Sequence, residues 1–182
     1  GQPPTSDIAV VRLDAPRAEP PLLLNTTPLE NMEGSSARLV GFGIGAPGAF
    51  DAYYKREGTA PIIHVSGEPA IWADHSWPNK GYEIWLGADG FAHSLPGDSG
   101  APVLAAPGGG QERVVGVIWG HQDDGSTSAS RVDTVHSWLC DRMSELDPAC
   151  NDGACCASTA CDAGDGEWQP ADAAVERGST AP

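Results

Sequence analysis

The stretch "HSLPGDSGAPVL", His93 to Leu104, sets a serine between two glycines at the start of an apolar run. Gly97 and Gly100 permit a tight backbone turn that a side chain would obstruct, and such a turn can aim the amides of Gly97 and Ser99 at one point. A hydrolase presents a nucleophile beside an oxyanion hole in this way. Gly, Asp and Ser are also ordinary turn residues, so the stretch alone is compatible with a surface turn. A serine hydroxyl is protonated at neutral pH, and Ser99 needs a base within hydrogen-bond reach and a third group to orient that base.

Outward from Ser99 the chain reads as β-rich. "ARLVGFGIG", "YYKREGTAPIIHVSG", "YEIWLG", "APVLAA" and "ERVVGVIWG" are short β-prone runs bounded by Gly, Pro or Asp, a pattern of barrels and sandwiches. Upstream, "SDIAVVRLDAP" alternates Ile8/Val10/Arg12 with Ala9/Val11/Leu13 and stops at Pro16, which predicts a strand buried on at least one face with Asp7 at its mouth. A Pro-rich crossover follows. Downstream, Val132, Val135, Trp138, Leu139 and Met143 fall at helical spacing with Asp133 as N-cap, predicting one amphipathic helix that ends at "SELDP". From Asp141 to Pro182 nine acids face two arginines, and the end of this stretch reads as disordered.

The net charge of −15 opposes a nucleic-acid partner, because a phosphate backbone repels such a surface. No apolar run approaches the roughly 20 residues that span a bilayer, and Gly1 has no signal peptide behind it, so the sequence reads as a processed product. Cys150, Cys155, Cys156 and Cys161 lie within twelve residues, with Cys140 just before them. Such density predicts disulfides and a secreted, periplasmic or extracellular location. The spacing lacks a C-x2-C knuckle, and the nearby Asp152, Asp162, Asp165 and Glu167 lack the alternation of a calcium loop. No metal and no cofactor is expected. Five cysteines leave one thiol free or paired with another chain.

Three orders of a serine triad fit poorly. A nucleophile elbow needs Gly where Ala101 stands, and the "DTVH" of Asp133 to His136 follows Ser99 too closely for the GDS(L)-type lipases it is similar to. An order Asp7, His64, Ser99 puts the base in a strand run without a local motif. The order His, Asp, Ser gathers more. "SDIAVVRL" resembles the stretch that carries the triad aspartate in chymotrypsin/trypsin-like serine proteases. "GDSGAPVL" resembles their nucleophile motif, "VVGVIWG" the strand that pairs with the substrate backbone, and "RVDTVHSWL" their C-terminal segment and helix. The four motifs keep the family's order across Ser6 to Met143.

The resemblance implies an all-β protein of two six-stranded β-barrels. Residues 1–30 would be the last part of the N-terminal barrel and the crossover, 31–146 the C-terminal barrel and helix, and 147–182 a Cys-rich acidic tail. It implies a serine endopeptidase in which Ser99 attacks, Asp7 orients the base, and Gly97 and Ser99 bind the oxyanion. Asp98 would pair with the amine freed by zymogen cleavage, and Gly1 is too near Asp7 to supply it. His93 falls at the base of the primary pocket, giving an expected preference for acidic or small side chains. Ile118, Trp119 and Gly120 would line the substrate strand, with the Trp119 ring as a wall. His75 reads as a loop residue, His121 as a residue able to line the cleft, and His136 as structural.

The sequence also departs from the family. Leu95 stands where most animal relatives have a cysteine, Ala101 replaces a glycine, and "VVGVIWG" is one residue short. The family's histidine precedes its aspartate by roughly forty-five residues, and all five histidines here follow Asp7. The expected partners are therefore a peptide or protein substrate and an N-terminal fragment of the same precursor. That fragment would carry the histidine and be held by strand pairing or by the odd cysteine. The alternative is a pseudoprotease that binds peptides without cutting them.

Overall fold

The computed structural model describes residues 7–15, 18–66, 82–87, 90–122 and 124–146. His75, the cluster from Cys150 to Cys161 and the tail 147–182 lie outside the described residues. Six strands, β1 (Ser36–Gly41), β2 (Arg56–Val65), β3 (Glu83–Leu86), β4 (Pro102–Ala105), β5 (Arg113–His121) and β6 (Thr127–Arg131), close into one antiparallel barrel. Their spatial order is β1-β2-β3-β6-β5-β4, with β4 returning to β1 through Arg38–Leu104 and Leu39–Val103. A helix α1 (His136–Leu146) follows the last strand after a single 3-10 turn, Asp133–Val135.

The two-residue period of a strand decides which side chains fill the barrel. Ala37 and Leu39, Ala60 and Ile62, Ile84 and Leu86, Val103 and Ala105, Val115 and Ala129 all point into one buried cluster. Burying each of the larger aliphatic side chains contributes roughly 1.5–3 kcal/mol. β4 is buried on both faces. Its Leu104 faces outward into a second cluster with Val114, Val132, Val135 and Leu139, which seats α1 on the barrel wall. This explains why "APVL" reads as a continuous apolar run rather than an alternation.

β6, "TSASR", has no apolar alternation, and the sequence reading passed over it as a strand. All five of its residues are buried. Polar side chains are tolerated there because they find partners. Thr127 Oγ1 accepts the Ser94 amide at 2.7 Å, and the Arg131 guanidinium, 1% exposed, donates to Ser66 O at 2.7 Å and Glu30 Oε1 at 2.9 Å. Asp133, expected to cap the helix, instead lies inside the 3-10 turn and receives Arg131 Nε at 3.0 Å. The buried guanidinium outbids the helix amides for that carboxylate.

No strand forms at 7–15, contrary to expectation, since among the described residues its backbone has no partner strand. Its alternation survives nevertheless. Ile8 and Val10 rest on the second cluster, and Arg12 donates to Leu146 O at 3.0 Å at the C-terminus of α1, where a cation is favoured. The other set points away, leaving Val11 78% and Leu13 61% exposed. No helix among the described residues is long and apolar enough to cross a membrane.

Arg38 on β1 ties the outer wall, pairing with Glu57 on β2 at 2.9 Å and with Glu112 at the foot of β5. The hydrogen bond from Arg38 holds the Glu112 carboxyl below its usual pKa, and Arg131 does the same to Glu30. A carboxyl depressed in the folded state contributes stability above its unfolded pKa and loses it as pH falls through the folded value. Both groups are largely exposed, so each is worth at most about 1 kcal/mol. Urea unfolding should therefore show Glu112→Gln less stable than the parent at pH 7, with the difference shrinking as pH falls through the depressed folded value. A difference that grows on acidification would contradict the ion pair.

Candidate active site

Three segments meet at one end of the barrel. The loop that follows β1, "GFGIG" at residues 41–45, the turn 95–100 that leads into β4, and the C-terminal end of β5 are laced together by backbone bonds. Ile44 N–H donates to Pro96 O at 3.1 Å, Gly100 N–H to Ile118 O at 2.7 Å, and Ile118 N–H to Ala101 O at 2.9 Å. Gly97 and Gly100 both have positive φ, +98° and +86°. A Cβ on Gly97 would lie 3.0 Å from the Cα of Gly43, so the turn packs backbone against backbone.

Ser99 stands exposed on this turn. Among the described residues neither its amide nor that of Gly97 donates a hydrogen bond. Ser99 lies at the mouth of a cavity of about 310 Å³ lined by Ser94, Leu95, Pro96, Ile118, Trp119, Gly120 and His121. The Ser94 hydroxyl donates to Gly120 O at 3.1 Å and fixes one wall. A bulge between Ile118 and Gly120 throws Trp119 out of register with β6.

Asp98 turns the other way. Its Oδ1 accepts the Gly43 amide at 2.8 Å and its Oδ2 the Leu95 amide at 2.9 Å. A Cβ on Gly41 would fall 2.0 Å from Oδ1, and one on Gly43 2.7 Å from Cγ, so both glycines are required by the carboxylate between them. Gly41→Ala should expel Asp98 from its amides at a cost of about 1–3 kcal/mol. Denaturant unfolding of that variant would measure this, and an unchanged midpoint would refute the cradle. Beside Asp98 opens a second cavity of about 250 Å³, bordered by Gly43, Gly45, Arg56, Phe91 and His93.

The expected site residues thus separate. Ser99, Ile118, Trp119 and Gly120 line one cavity, and Gly97 belongs to the same turn as Ser99 with its backbone packed on Gly43. Ile118 is 2% exposed, and its backbone is committed to Gly100 and Ala101, so it anchors the strand from the core. His93 is exposed, with Nδ1 3.2 Å from Phe91 O, and borders the Asp98 cavity rather than the one at Ser99. Asp7 is exposed at the head of its segment and makes no hydrogen bond or ion pair within the described residues. His64 pairs with Glu33 at 3.3 Å and meets Trp85 edge-on, while His136 lies 3.7 Å from the Sγ of Cys140, which is disulfide-bonded. His121 shares the Ser99 cavity. Gly41, Gly43 and Ser94 were not singled out from sequence, although the alternating glycines of "GFGIG" at a strand end were a readable signal of close backbone approach.

No family model and no curated protein matches the sequence. Among solved structures, two inactive forms of the Mycobacterium tuberculosis protease Rv3671c match. One is a serine-to-alanine mutant at 20% identity and TM-score 0.45, covering 68% of this chain and 54% of that one. The other has 21% identity and TM-score 0.46, covering 68% and 55%. A mutant of human heparin binding protein (CAP37) matches at 18% identity and TM-score 0.50, covering 71% of this chain and 51% of that one. The chain therefore spans about half the length of the solved structures it matches. At such identities the likeness is one of fold, and that fold is a barrel of the trypsin-like kind.

Proposed function

We propose that this chain is the C-terminal barrel of a trypsin-like serine endopeptidase. The observation that carries the reading is the turn at Ser99. An exposed serine lines a cavity large enough for an amino-acid side chain, on a turn whose Gly97 and Ser99 amides donate no hydrogen bond among the described residues. The peptide would lie along Trp119–Gly120 with the side chain before the cut in that cavity, whose lining contains no carboxylate to attract a basic group. Ser99 Oγ attacks the carbonyl carbon and gives its proton to an imidazole, while the carbonyl oxygen takes its negative charge to the two amides. Collapse breaks the C–N bond, the departing amine takes the proton from the imidazolium, and an ester remains on Ser99. Water then attacks that ester with the same imidazole as base.

The imidazole and the other barrel would come from the segment preceding Asp7, with Asp7 orienting the ring. Two features support this division. Ala9, Val11 and Leu13 form an outward apolar row on a segment with no partner strand among the described residues, and the 250 Å³ cavity at Asp98 suits an amine delivered by that upstream piece. A secreted or extracellular setting belongs to the same reading. The test is covalent. An organophosphonate should add to the complete protein at Ser99, located by peptide mass mapping. A complete protein that binds extended peptides at Trp119 yet takes up no phosphonate would be a binding module, the second reading.

A further inference from the structure

Arg56 opens β2 directly across the ladder from Gly41 and reaches over the "GFGIG" loop. Its Nη1 donates to Gly43 O at 2.8 Å, and its Nη2 donates to Asp51 O at 3.0 Å and to Asp51 Oδ2 at 2.7 Å. The other oxygen of that carboxylate, Oδ1, accepts the Gly45 amide at 2.8 Å. The Asp51–Arg56 pair therefore grips the loop at Gly43 and at Gly45. Gly45 is spare for this reason, since a Cβ there would lie 2.7 Å from Asp51 Oδ2 and 3.0 Å from Arg56 Nε. On its far side Gly43 gives its amide to Asp98, and its Cα packs on Gly97.

We propose that Arg56, set by Asp51, is a positioning residue for the oxyanion amides, acting through Gly43 and Asp98. A guanidinium suits the task because its planar fork holds a carbonyl on one nitrogen and a carboxylate on another in a fixed geometry, where the three donors of an ammonium share one compact nitrogen. The peptide plane of residues 43 and 44 is fixed by Arg56, the Gly43 amide fixes Asp98, and Asp98 fixes the turn that presents Gly97 and Ser99. Loss of the clamp lets Gly43 rotate, so Asp98 loses one of its two amides and the turn loses its registration. Substrate still binds along Trp119–Gly120, which Arg56 does not touch.

The role rests on Ser99 being a nucleophile, and the experiment separates the two. In the complete protein, Arg56→Ala should lower kcat on a short peptide ester by about 10- to 100-fold with KM changed by less than about two-fold, because oriented amides act in the transition state. Asp51→Asn should lose less in the same direction, and Arg56→Lys should not restore kcat. Hydrogen exchange should show the Gly43 and Leu95 amides opening at least roughly ten-fold faster in Arg56→Ala while the Ile84 and Val103 amides stay protected. An unchanged kcat, a rise in KM alone, or a lost kcat with unaltered Gly43 exchange would overturn the proposal. Should Arg56→Ala fail to fold, Asp51→Asn carries both readouts. A parent protein that neither turns over the ester nor takes up a phosphonate ends the hydrolase reading, and the exchange of Gly43 then decides the clamp by itself.

Discussion

If the proposed function holds, Ser99→Ala in the complete protein should abolish peptide hydrolysis, with kcat falling on the order of 10⁴- to 10⁶-fold and phosphonate uptake disappearing. The size follows from what the residue would do. Without Oγ there is no acyl-enzyme, and what survives is the catalysis that an oxyanion site gives to direct attack by water. The fold should be untouched, because Ser99 is exposed and its side chain makes no hydrogen bond among the described residues. Thermal unfolding of the variant should match the parent within about 1 °C, and truncating a side chain off the core is near neutral in general. Equal rates for parent and variant would remove Ser99 from the chemistry, and phosphonate that still adds to the variant would place the nucleophile elsewhere.

The second large effect concerns the base. Residues 1–182 expressed alone should be inert, slower than the complete protein by a factor on the order of 10⁴ or more, and should recover on mixing with the segment that precedes Asp7. The five histidines explain why. His64 is engaged with Glu33 and Trp85, His136 lies beside Cys140, and His93 borders the other cavity, so among the described histidines only His121 lines the cavity at Ser99. Intact-mass analysis of native and then denatured, reduced protein would show whether a second piece accompanies the chain. A lone 18.8 kDa species that cuts peptides would refute the two-piece arrangement. His121→Ala would then be the variant to make.

The barrel was legible where side chains alternate. "ARLVG" and "YEIWL" became β1 and β3 because each must hide one face, "ERVVGVIW" became β5 with Val115 and Val114 hidden in the two clusters, and α1 formed where Leu139 must be hidden. β6 was illegible for the converse reason, since a strand flanked by β3 and β5 can be polar when Ser94, Glu30 and Ser66 satisfy it, and those partners are distant in sequence. The Ser99 turn could be read locally because its two glycines are its own neighbours. The placement of His93 could not. A count of six residues before the nucleophile says nothing of which way the chain from Phe91 to Ser94 faces, and that is set by the Ser94 amide bonding to Thr127 on β6.

The closed ring of strands also bears on what this chain does in a crowded, unchaperoned solution. Strand-on-strand filament growth needs an open edge, and in this barrel β4 joins β1 and leaves none. Among the described residues, the run from Asp7 to Leu13 has no partner strand and is fastened to the body through Ile8, Val10 and Arg12, baring Val11 and Leu13. On the two-piece reading, a partner that covered that row would serve as a chaperone as well as a subunit, and a charge placed at Val11 should guard the isolated chain against self-association without touching the barrel.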